Sequence, residues 1–281
     1  MRLIPFIRAI RRWLSRCVRW NPEPTPKNST IISITLSIIT VCYNSSATVA
    51  DTLESVAKQQ HPGIEHLIID GASKDNTLDI ARQYPHVAKI ISEPDNGLYD
   101  AMNKGIAHAT GQYLAFLNAD DFYAAPNVLH HVARQLQDTQ ADTLYGDLQY
   151  VTPAPPFNVV RHWKSGTYRH QNFLHGWMPP HPTFFARREL FEQYGHFDLR
   201  FRSAADYELM LRFLYKHKAS ATYLPEVLVK MRTGGVSNAS FRHRLRANRE
   251  DRLAWQVNGL KPHPHTTILK PLRKLGQWFR N

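Results

Sequence analysis

Residues 113–121, YLAFLNADD, constrain the fold of this chain more than any other stretch. Their first half is short and apolar, which is typical of a buried strand near the centre of a sheet. Their second half places carboxylates directly after that strand, and ligands bind at this carboxyl edge in open α/β sheets. Adjacent carboxylates also suit a hard divalent cation that bridges the protein to substrate phosphates. Taken alone, the same residues are equally compatible with a solvated turn, because Asn and Asp are common turn formers.

Apolar strand patterns alternate with helical patterns through the first half of the chain, which predicts an α/β fold with a mostly parallel sheet and helices on both faces. The predicted strands cover residues 31–43, 65–70, 87–92, 113–117 and 143–147, and the predicted helices cover 47–60, 76–84, 98–109 and 126–137. Beyond residue 150 the pattern is less regular. It predicts helices at 189–194 and 206–215, a strand at 223–231 and a basic helical stretch from residue 241.

Polar residues follow each of the first four predicted strands. They are Tyr43 and Asn44 after the first strand, then residues 70–77, 93–100 and 118–121. The carboxyl ends of parallel strands meet at one edge of a sheet, so these loops are expected to lie close together. Such a layout predicts a nucleotide-binding site.

Charge and cysteine content restrict the partners and the compartment. The formal net charge is +12 and the pI is near 9.8, which favours an anionic partner. Cys17 and Cys42 form neither a disulfide framework nor a metal-type spacing, which is typical of a reducing compartment. No apolar run is long enough to span a bilayer.

The N-terminal residues 1–20 predict a basic amphipathic helix. Its arginines lie opposite an apolar face formed by Leu3, Ile7, Ile10, Leu14 and Cys17. A helix of this kind suits a membrane interface, although docking on the protein's own core or on a partner is the alternative. The Pro-rich residues 21–27 form a linker. The protein is therefore expected to be cytoplasmic and peripheral on the inner face of the cell membrane.

Several motifs in order resemble the family 2 glycosyltransferases of the GT-A fold. TVCYN, IIDGASKDNT and EPDNGLYDAMNKGIAHATGQYLAFLNADD carry the resemblance, which covers residues 36–238. It implies a non-processive, inverting enzyme of the bacterial surface-polysaccharide type. Such an enzyme moves a sugar from a nucleotide-diphosphate-sugar donor to a hydroxyl of a saccharide or lipid-linked saccharide. The lack of a Gln-x-x-Arg-Trp motif argues against a processive synthase.

The resemblance also divides the chain. Residues 28–240 would form the GT-A domain, with a nucleotide-sugar-binding half at 28–150 and an acceptor half at 151–240. Residues 1–27 would be the amphipathic helix with its linker. Residues 241–281 would be a basic C-terminal tail.

Donor-binding residues are implied by the same resemblance. Asp70 matches the position that contacts the nucleobase, and Asp100 and Lys104 lie in the helix region that shapes the donor pocket. MRTGGVSNAS resembles a mobile segment whose arginine contacts the donor diphosphate. The implied donor set is Tyr43, Asn44, Asp70, Ser73, Asp100, Lys104, Asn118 and Arg232.

The resemblance further implies a metal site. Asn118-Ala119-Asp120 matches the DxD motif of the family, with Asn in place of the first Asp. Asp120 and Asp121 are the implied ligands of a divalent cation, Mg²⁺ or Mn²⁺. The Asn118 replacement leaves open which metal binds and how tightly.

The catalytic base is implied by a later segment, GHFDLRFRSAADYELMLRF. The family places Glu-Asp where this chain has Ala205-Asp206, so the base is assigned to Asp206. The alternative is that Asp206 is the N-cap of the following helix, because Asp is a favoured cap residue. His181, in the HPTFF motif, is implied to lie near the acceptor.

Three other functions remain open at this stage. A nucleotidyltransferase would share the sheet, but its Gly-rich basic loop is not matched by YNSSATVADT. Nucleic-acid binding is suggested only by charge, and no recognition motif is present, so no nucleic-acid partner is predicted. A sugar-nucleotide-binding protein without transfer activity is suggested by Asn118 and Ala205.

Overall fold

The computed structural model describes residues 33–234, 241–263 and 266, with only the backbone for 241–245. The chain divides into two units, Met1–Ile32 and Ser33–Asn281. The predicted amphipathic helix at 1–20 and its linker lie outside the described residues. Within the described ranges, no helix is long and apolar enough to cross a membrane.

Strands and helices alternate through the first half, as the sequence predicts. They are β1 (Leu36–Cys42), α1 (Val49–Ala57), β2 (Ile64–Asp70), α2 (Thr77–Ala81), β3 (Val87–Ser92), α3 (Leu98–His108) and β4 (Tyr113–Phe116). β1 is buried along its whole length. Its mostly apolar sequence, LSIITVC, fits a parallel strand that is covered on both faces.

The second half is less regular and contains elements that the sequence did not predict. Two 3-10 helices, His170–His175 and His181–Thr183, precede β8 (Phe185–Arg187). Within the predicted helix at 206–215, a π-helical stretch, Leu211–Lys216, continues α6 (Ala205–Met210). β5 (Phe122–Tyr123) and β8 span only two and three residues, and β7 (Val159–Trp163) contains no buried residue, so none shows a clear period-2 pattern. In chain order, the strands and α-helices after β4 are β5 (Phe122–Tyr123), α4 (Val128–Thr139), β6 (Thr143–Val151), β7 (Val159–Trp163), β8 (Phe185–Arg187), α5 (Arg188–Tyr194), α6 (Ala205–Met210), β9 (Ala221–Arg232) and α7 (Phe241–Val257).

One sheet joins the nine strands of the described residues, in the order β3-β2-β1-β4-β8-β6-β9-β5, with β7 paired to β6. β3, β2, β1 and β4 are parallel, and so are β6 and β9. β8 lies between β4 and β6 and is antiparallel to both. The predicted α/β fold with a mostly parallel sheet is confirmed, and β8 is the strand that connects its two halves.

Helix α3 packs unusually closely on the central strand β1. A Cβ atom built at Gly105 would lie 2.4 Å from Ile39 Cγ2, so a larger residue could not be accommodated without a shift. Met102 and Ile106, on the same helix, are buried in one core cluster with Ile39. This contact fixes the position of α3, whose first turn contains Tyr99 and Asp100, relative to the sheet.

The C-terminal helix α7 is part of the core. Trp255 is fully buried, and its Nε1 donates a hydrogen bond to the Tyr207 hydroxyl at 2.9 Å. One turn later, Asn258 Nδ2 donates to Glu208 Oε1 at 2.9 Å. The segment that the sequence presents as the start of a basic tail therefore packs against α6.

Candidate active site

Asp70 is the most firmly held residue at the carboxyl edge of the parallel strands. It is the last residue of β2 and is fully buried. Its carboxylate accepts hydrogen bonds from Ser73 N at 2.9 Å, Ser73 Oγ at 2.5 Å and Ser92 Oγ at 2.7 Å. Three donors compensate for the loss of water around the charge, so the carboxylate has one fixed orientation.

The loops after β1, β2 and β3 meet at this edge. Asn44 N donates to Ser73 Oγ at 2.8 Å, and Lys74 N donates to Asn44 Oδ1 at 2.8 Å. A Cβ atom on Gly71 would lie 2.4 Å from Asp95 Oδ2 and 3.3 Å from the Tyr43 ring. Asn44 and Ser73 therefore build the edge itself, whereas the Tyr43 side chain is 61% exposed beside it.

Asp100 and Lys104 brace the loop after β3. Lys104 Nζ contacts Glu93 Oε1 at 2.9 Å and donates to Pro94 O at 2.7 Å. The hydrogen bond to Glu93 raises the pKa of Lys104 above its ordinary value. Asp100 Oδ2 accepts from Asn96 N at 2.9 Å. Both residues lie where the sequence placed the donor pocket, and their contact with a donor stays a prediction.

The turn after β4 contains two buried oxygen atoms that have no hydrogen-bond partner among the described residues. They are Asn118 Oδ1 and Asp121 Oδ1. Asn118 Nδ2 lies 3.3 Å from Asp121 Oδ2, and Asp121 N donates to Asn118 O at 3.0 Å. Thr52 Oγ1, on α1, donates to Asp121 O at 2.7 Å and holds the turn from outside. Unpaired buried acceptors are costly, and a cation is one of the groups that would satisfy them.

The electrostatics of this turn favour a positive ligand. Burial, followed by the charge of Asp120, raises the pKa of Asp121 well above its ordinary value. Burial also raises the pKa of Asp120, and the Arg232 guanidinium opposes that rise. The described residues contain no group of three or more His, Cys, Asp or Glu side chains arranged as a complete metal site. The oxygens present fit Mg²⁺ or Mn²⁺, because such ions commonly combine one or two carboxylates with substrate phosphates and water.

Arg232 is buried and each of its guanidinium nitrogens contacts a protein oxygen. Nη1 donates to Asp120 O at 2.5 Å, Nε donates to Pro153 O at 3.1 Å, and Nη2 pairs with Asp51. Asp51 lies in the first turn of α1. Arg232 thus ties the end of β9 to the Asp120 turn. A contact with a donor phosphate, as predicted from the sequence, would require some of these bonds to be exchanged.

Asp206 is placed at the boundary between the two halves. Helix α6 begins at Ala205 with Ala204 at the N-cap, so Asp206 is the second helical residue and does not cap the helix. The Tyr99 hydroxyl donates to Asp206 Oδ1 at 3.2 Å across 107 residues of sequence. Tyr99 belongs to α3, which follows the third polar loop. The hydrogen bond therefore connects the predicted base with the helix that follows the third polar loop.

His181 lies beside β4 and within the electrostatic influence of Asp206. Its ring stacks on Phe116, the last residue of β4, with centroids 5.6 Å apart, and meets Phe197 edge-on at 5.8 Å. Burial lowers the pKa of His181, and the Asp206 charge opposes this. Its Nε2 is buried without a hydrogen-bond partner among the described residues. His181 is thus a neutral imidazole whose Nε2 has no hydrogen-bond partner among the described residues, and it lies close enough to Asp206 to be affected by its charge.

Three contributing residues were not singled out from the sequence: Asp51, Tyr99 and Glu250. Tyr99 is inside a motif that marks the family, and Asp51 opens the first helix after a site-forming strand. These two positions are the sequence features that could have identified Tyr99 and Asp51. Glu250 accepts hydrogen bonds from the backbone N–H groups of residues 202–204, just ahead of α6. No sequence feature indicated it, because it lies in a basic stretch and these partners are more than 40 residues away.

Two solved structures with the same fold contain nucleotide-sugars. Residues 1–349 of S. aureus TarS, in complex with UDP-GlcNAc, superpose with a TM-score of 0.63 at 17% identity, over 84% of this chain and 70% of that fragment. The mannosyltransferase PcManGT of Pyrobaculum calidifontis, in complex with GDP-Man and Mn²⁺, gives 0.61 at 20% identity, over 96% and 76%. The architecture described above is thus the GT-A fold.

Sequence comparison identifies the family. The model of glycosyl transferase family 2 matches residues 37–195. A PGL/p-HBAD biosynthesis glycosyltransferase of Mycobacterium bovis is 33% identical over 208 residues, which cover 72% of this chain and 78% of the relative. The chain belongs to glycosyl transferase family 2, and the protein is a glycosyltransferase. The resemblance seen in the sequence is confirmed.

Proposed function

We propose that this enzyme transfers a sugar from a nucleotide-diphosphate-sugar to a saccharide hydroxyl, with inversion at the anomeric carbon. The observation that carries the proposal is the Tyr99–Asp206 hydrogen bond. It holds a carboxylate of the acceptor half against the helix that follows the donor-side loops. A single displacement needs a base and a leaving-group site on opposite sides of the reacting carbon, and these two halves supply them.

The donor is proposed to bind along the carboxyl edge of β1, β2 and β3. Asp70 is the nucleobase contact, and the exposed Tyr43 ring offers an apolar face beside it. Asn44 and Ser73 shape the same edge, and Asp100 and Lys104 shape the pocket for the sugar. The UDP-GlcNAc complex of TarS, which has the same fold, supports a nucleotide-sugar as the donor.

Asn118, Asp120 and Asp121 are proposed to hold a divalent cation, Mg²⁺ or Mn²⁺. The unpaired oxygens of Asn118 and Asp121 and the raised pKa values of both carboxyl groups support this. The PcManGT complex with Mn²⁺ gives the same indication for a protein of this fold. When bound, the cation would act as a Lewis acid that neutralises the departing diphosphate. Arg232 anchors the turn and, on exchanging its partners, would contact the diphosphate.

Asp206 is proposed to remove the proton from the attacking hydroxyl. Tyr99 donates to Oδ1 and so orients the carboxylate, which leaves Oδ2 for the acceptor. His181, neutral and close to Asp206, is proposed to contact the acceptor sugar through Nε2. A product that retains the anomeric configuration would contradict this single-displacement scheme.

The acceptor is proposed to be a lipid-linked saccharide of surface-polysaccharide synthesis, met at the cytoplasmic face of the membrane. This rests on the basic amphipathic sequence of residues 1–20. Each arginine near an anionic surface contributes about 1 kcal/mol, and the contribution weakens with salt. Deleting residues 1–27 should release the protein from vesicles that contain phosphatidylglycerol. Equal sedimentation of the full and truncated chains would contradict the proposal.

A thermal-shift panel of nucleotide-sugars, each with and without MnCl₂, tests the proposed function. One donor should raise the melting temperature in the presence of Mn²⁺, because a ligand at 100 times its Kd stabilises a fold by about 2.7 kcal/mol. The same donor should release nucleoside diphosphate on incubation. Asp70→Asn should weaken the shift, whereas Asp79→Asn, an exposed control carboxylate paired with Arg82, should not. If no nucleotide-sugar stabilises the protein, the proposal is wrong.

A further inference from the structure

The loop that leads into the base helix α6 is held by a carboxylate from the C-terminal helix α7. Glu250 accepts three backbone hydrogen bonds, from Arg202 N at 3.2 Å, Ser203 N at 2.8 Å and Ala204 N at 2.9 Å. Glu250 is only 8% exposed. It therefore fixes the backbone directly ahead of α6, whose N-cap residue, Ala204, has no side chain able to accept a hydrogen bond.

This arrangement suits the chemistry of a helix start. The first N–H groups of a helix have no partner inside the helix and carry partial positive charge. The Glu250 carboxylate bonds to the three N–H groups just ahead of these, so its negative charge lies near the positive end of the helix. Charge-assisted bonds of this kind are short and directional. The result is a defined backbone position for Ala204, two residues before Asp206.

The supporting helix is itself rigidly attached. Trp255 of α7 is fully buried in the hydrophobic core, and its Nε1 donates a hydrogen bond to the hydroxyl of Tyr207, the residue after Asp206. Asn258 donates to Glu208, which also receives two hydrogen bonds from Arg212 at 2.9 Å each. Glu250 is thus fixed from α7, and α6 is contacted by α7 at its beginning and along its length.

We propose that Glu250 is a positioning residue for Asp206, so that α7 belongs to the transfer machinery although it lies beyond the 37–195 family match. This inference rests on the proposed role of Asp206 as the base. Tyr99 fixes the carboxylate at one oxygen, and Glu250 fixes the backbone that carries it. A base displaced by about 1 Å can lose on the order of 100-fold in rate.

The test compares Glu250→Gln with Glu192→Gln in the full chain. The Glu250→Gln substitution keeps the size of the side chain but presents an amide NH₂ to backbone donors that need an acceptor. Glu192 is a suitable control because it is half-exposed and pairs with Arg188 on its own helix, α5. The assay is nucleoside diphosphate release, with water as acceptor, from the panel nucleotide-sugar that the wild-type protein hydrolyses fastest with MnCl₂.

Glu250→Gln should lower kcat roughly 10- to 100-fold while the donor KM changes less than about twofold. Glu192→Gln should match wild type in both. The double variant Asp206→Asn/Glu250→Gln should be no slower than Asp206→Asn alone, because the two residues act on one step. A lower melting temperature with unchanged kcat would mean that Glu250 only stabilises the fold, and it would overturn the inference.

The outcomes separate this inference from the proposed function. Loss of rate in Asp206→Asn with a normal rate in Glu250→Gln overturns the positioning role alone. A normal rate in Asp206→Asn overturns the base, and the inference falls with it. A wild-type protein that hydrolyses no nucleotide-sugar overturns both.

Discussion

The two halves of the molecule hold their candidate functional groups by contacts of very different range. On the proposed donor side, Asp70 is bonded by Ser73, three residues away, and by Ser92, 22 residues away. Asp95 Oδ1 accepts from Gly97 N, two residues away. On the acceptor side, Asp206 is bonded by Tyr99 across 107 residues, and Ala204 is held by Glu250 across 46. The proposed donor edge combines turns closed within a few residues with bonds between loops, such as Asn44 N to Ser73 Oγ, whereas Asp206 is positioned by contacts from distant elements.

This difference has consequences for how each half responds to substitution. A local turn keeps its shape when distant elements change, because its hydrogen bonds are closed within a few residues. A residue held only from other elements moves when any of them moves. Substitutions on the proposed donor side should therefore weaken donor or metal binding and, with it, turnover. Those around α6 and α7 should lower the rate of transfer while donor affinity changes little.

The largest effect predicted by this comparison is at the turn after β4. Asp120→Ala should lower donor turnover at least roughly 100-fold and should abolish Mn²⁺-dependent stabilisation, because it removes a metal-binding carboxylate. Excess EDTA should have the same effect on the wild-type protein. Asn118→Asp should keep or strengthen Mn²⁺ affinity by adding a charged oxygen. Turnover that persists undiminished in EDTA would show that the donor side works without the metal.

A smaller effect is predicted for the free energy of unfolding at acid pH, and it arises from a histidine in β2. His66 of β2 is fully buried between Thr40 Oγ1 and His86 Nε2, each at 3.0 Å, and burial lowers its pKa from 6.5 to about 3. Below pH 6.5 the unfolded chain binds a proton that the folded chain does not. Stability is therefore lost as pH falls, by about 2 kcal/mol at pH 5.

Replacing this histidine measures the contribution directly. Urea unfolding of His66→Gln at pH 7 and pH 5 should show a loss of stability between the two pH values that is smaller than the wild-type loss by about 2 kcal/mol. Comparing the change with pH, not the absolute stability, removes the cost of the substitution itself. An equal loss in both proteins would mean that His66 is protonated in the fold.

The features that could be predicted from the sequence are those encoded by neighbouring residues, and the features that could not are those that depend on contacts between distant elements. Residues 113–121 and the loops at 70–77 and 93–100 predicted the polar edge of the parallel strands, because their turn-forming residues follow each strand directly in the sequence. The pairing of Tyr99 with Asp206 and of Glu250 with Ala204 could not be read, since each depends on packing between distant elements. β8 was missed for a related reason: three residues carry no period, and only its neighbours β4 and β6 define it.

The most direct test of the account is donor turnover by Asp206→Asn. The substitution keeps the shape of the side chain and an oxygen to accept from Tyr99, but it removes the proton acceptor. Turnover of the nucleotide-sugar selected in the thermal-shift panel, measured at saturating concentration, should fall roughly 10²- to 10⁴-fold. Its affinity, measured by calorimetry with the same donor, should change little. A near-normal turnover in Asp206→Asn would contradict the assignment of the base and, with it, the division of labour between the two halves.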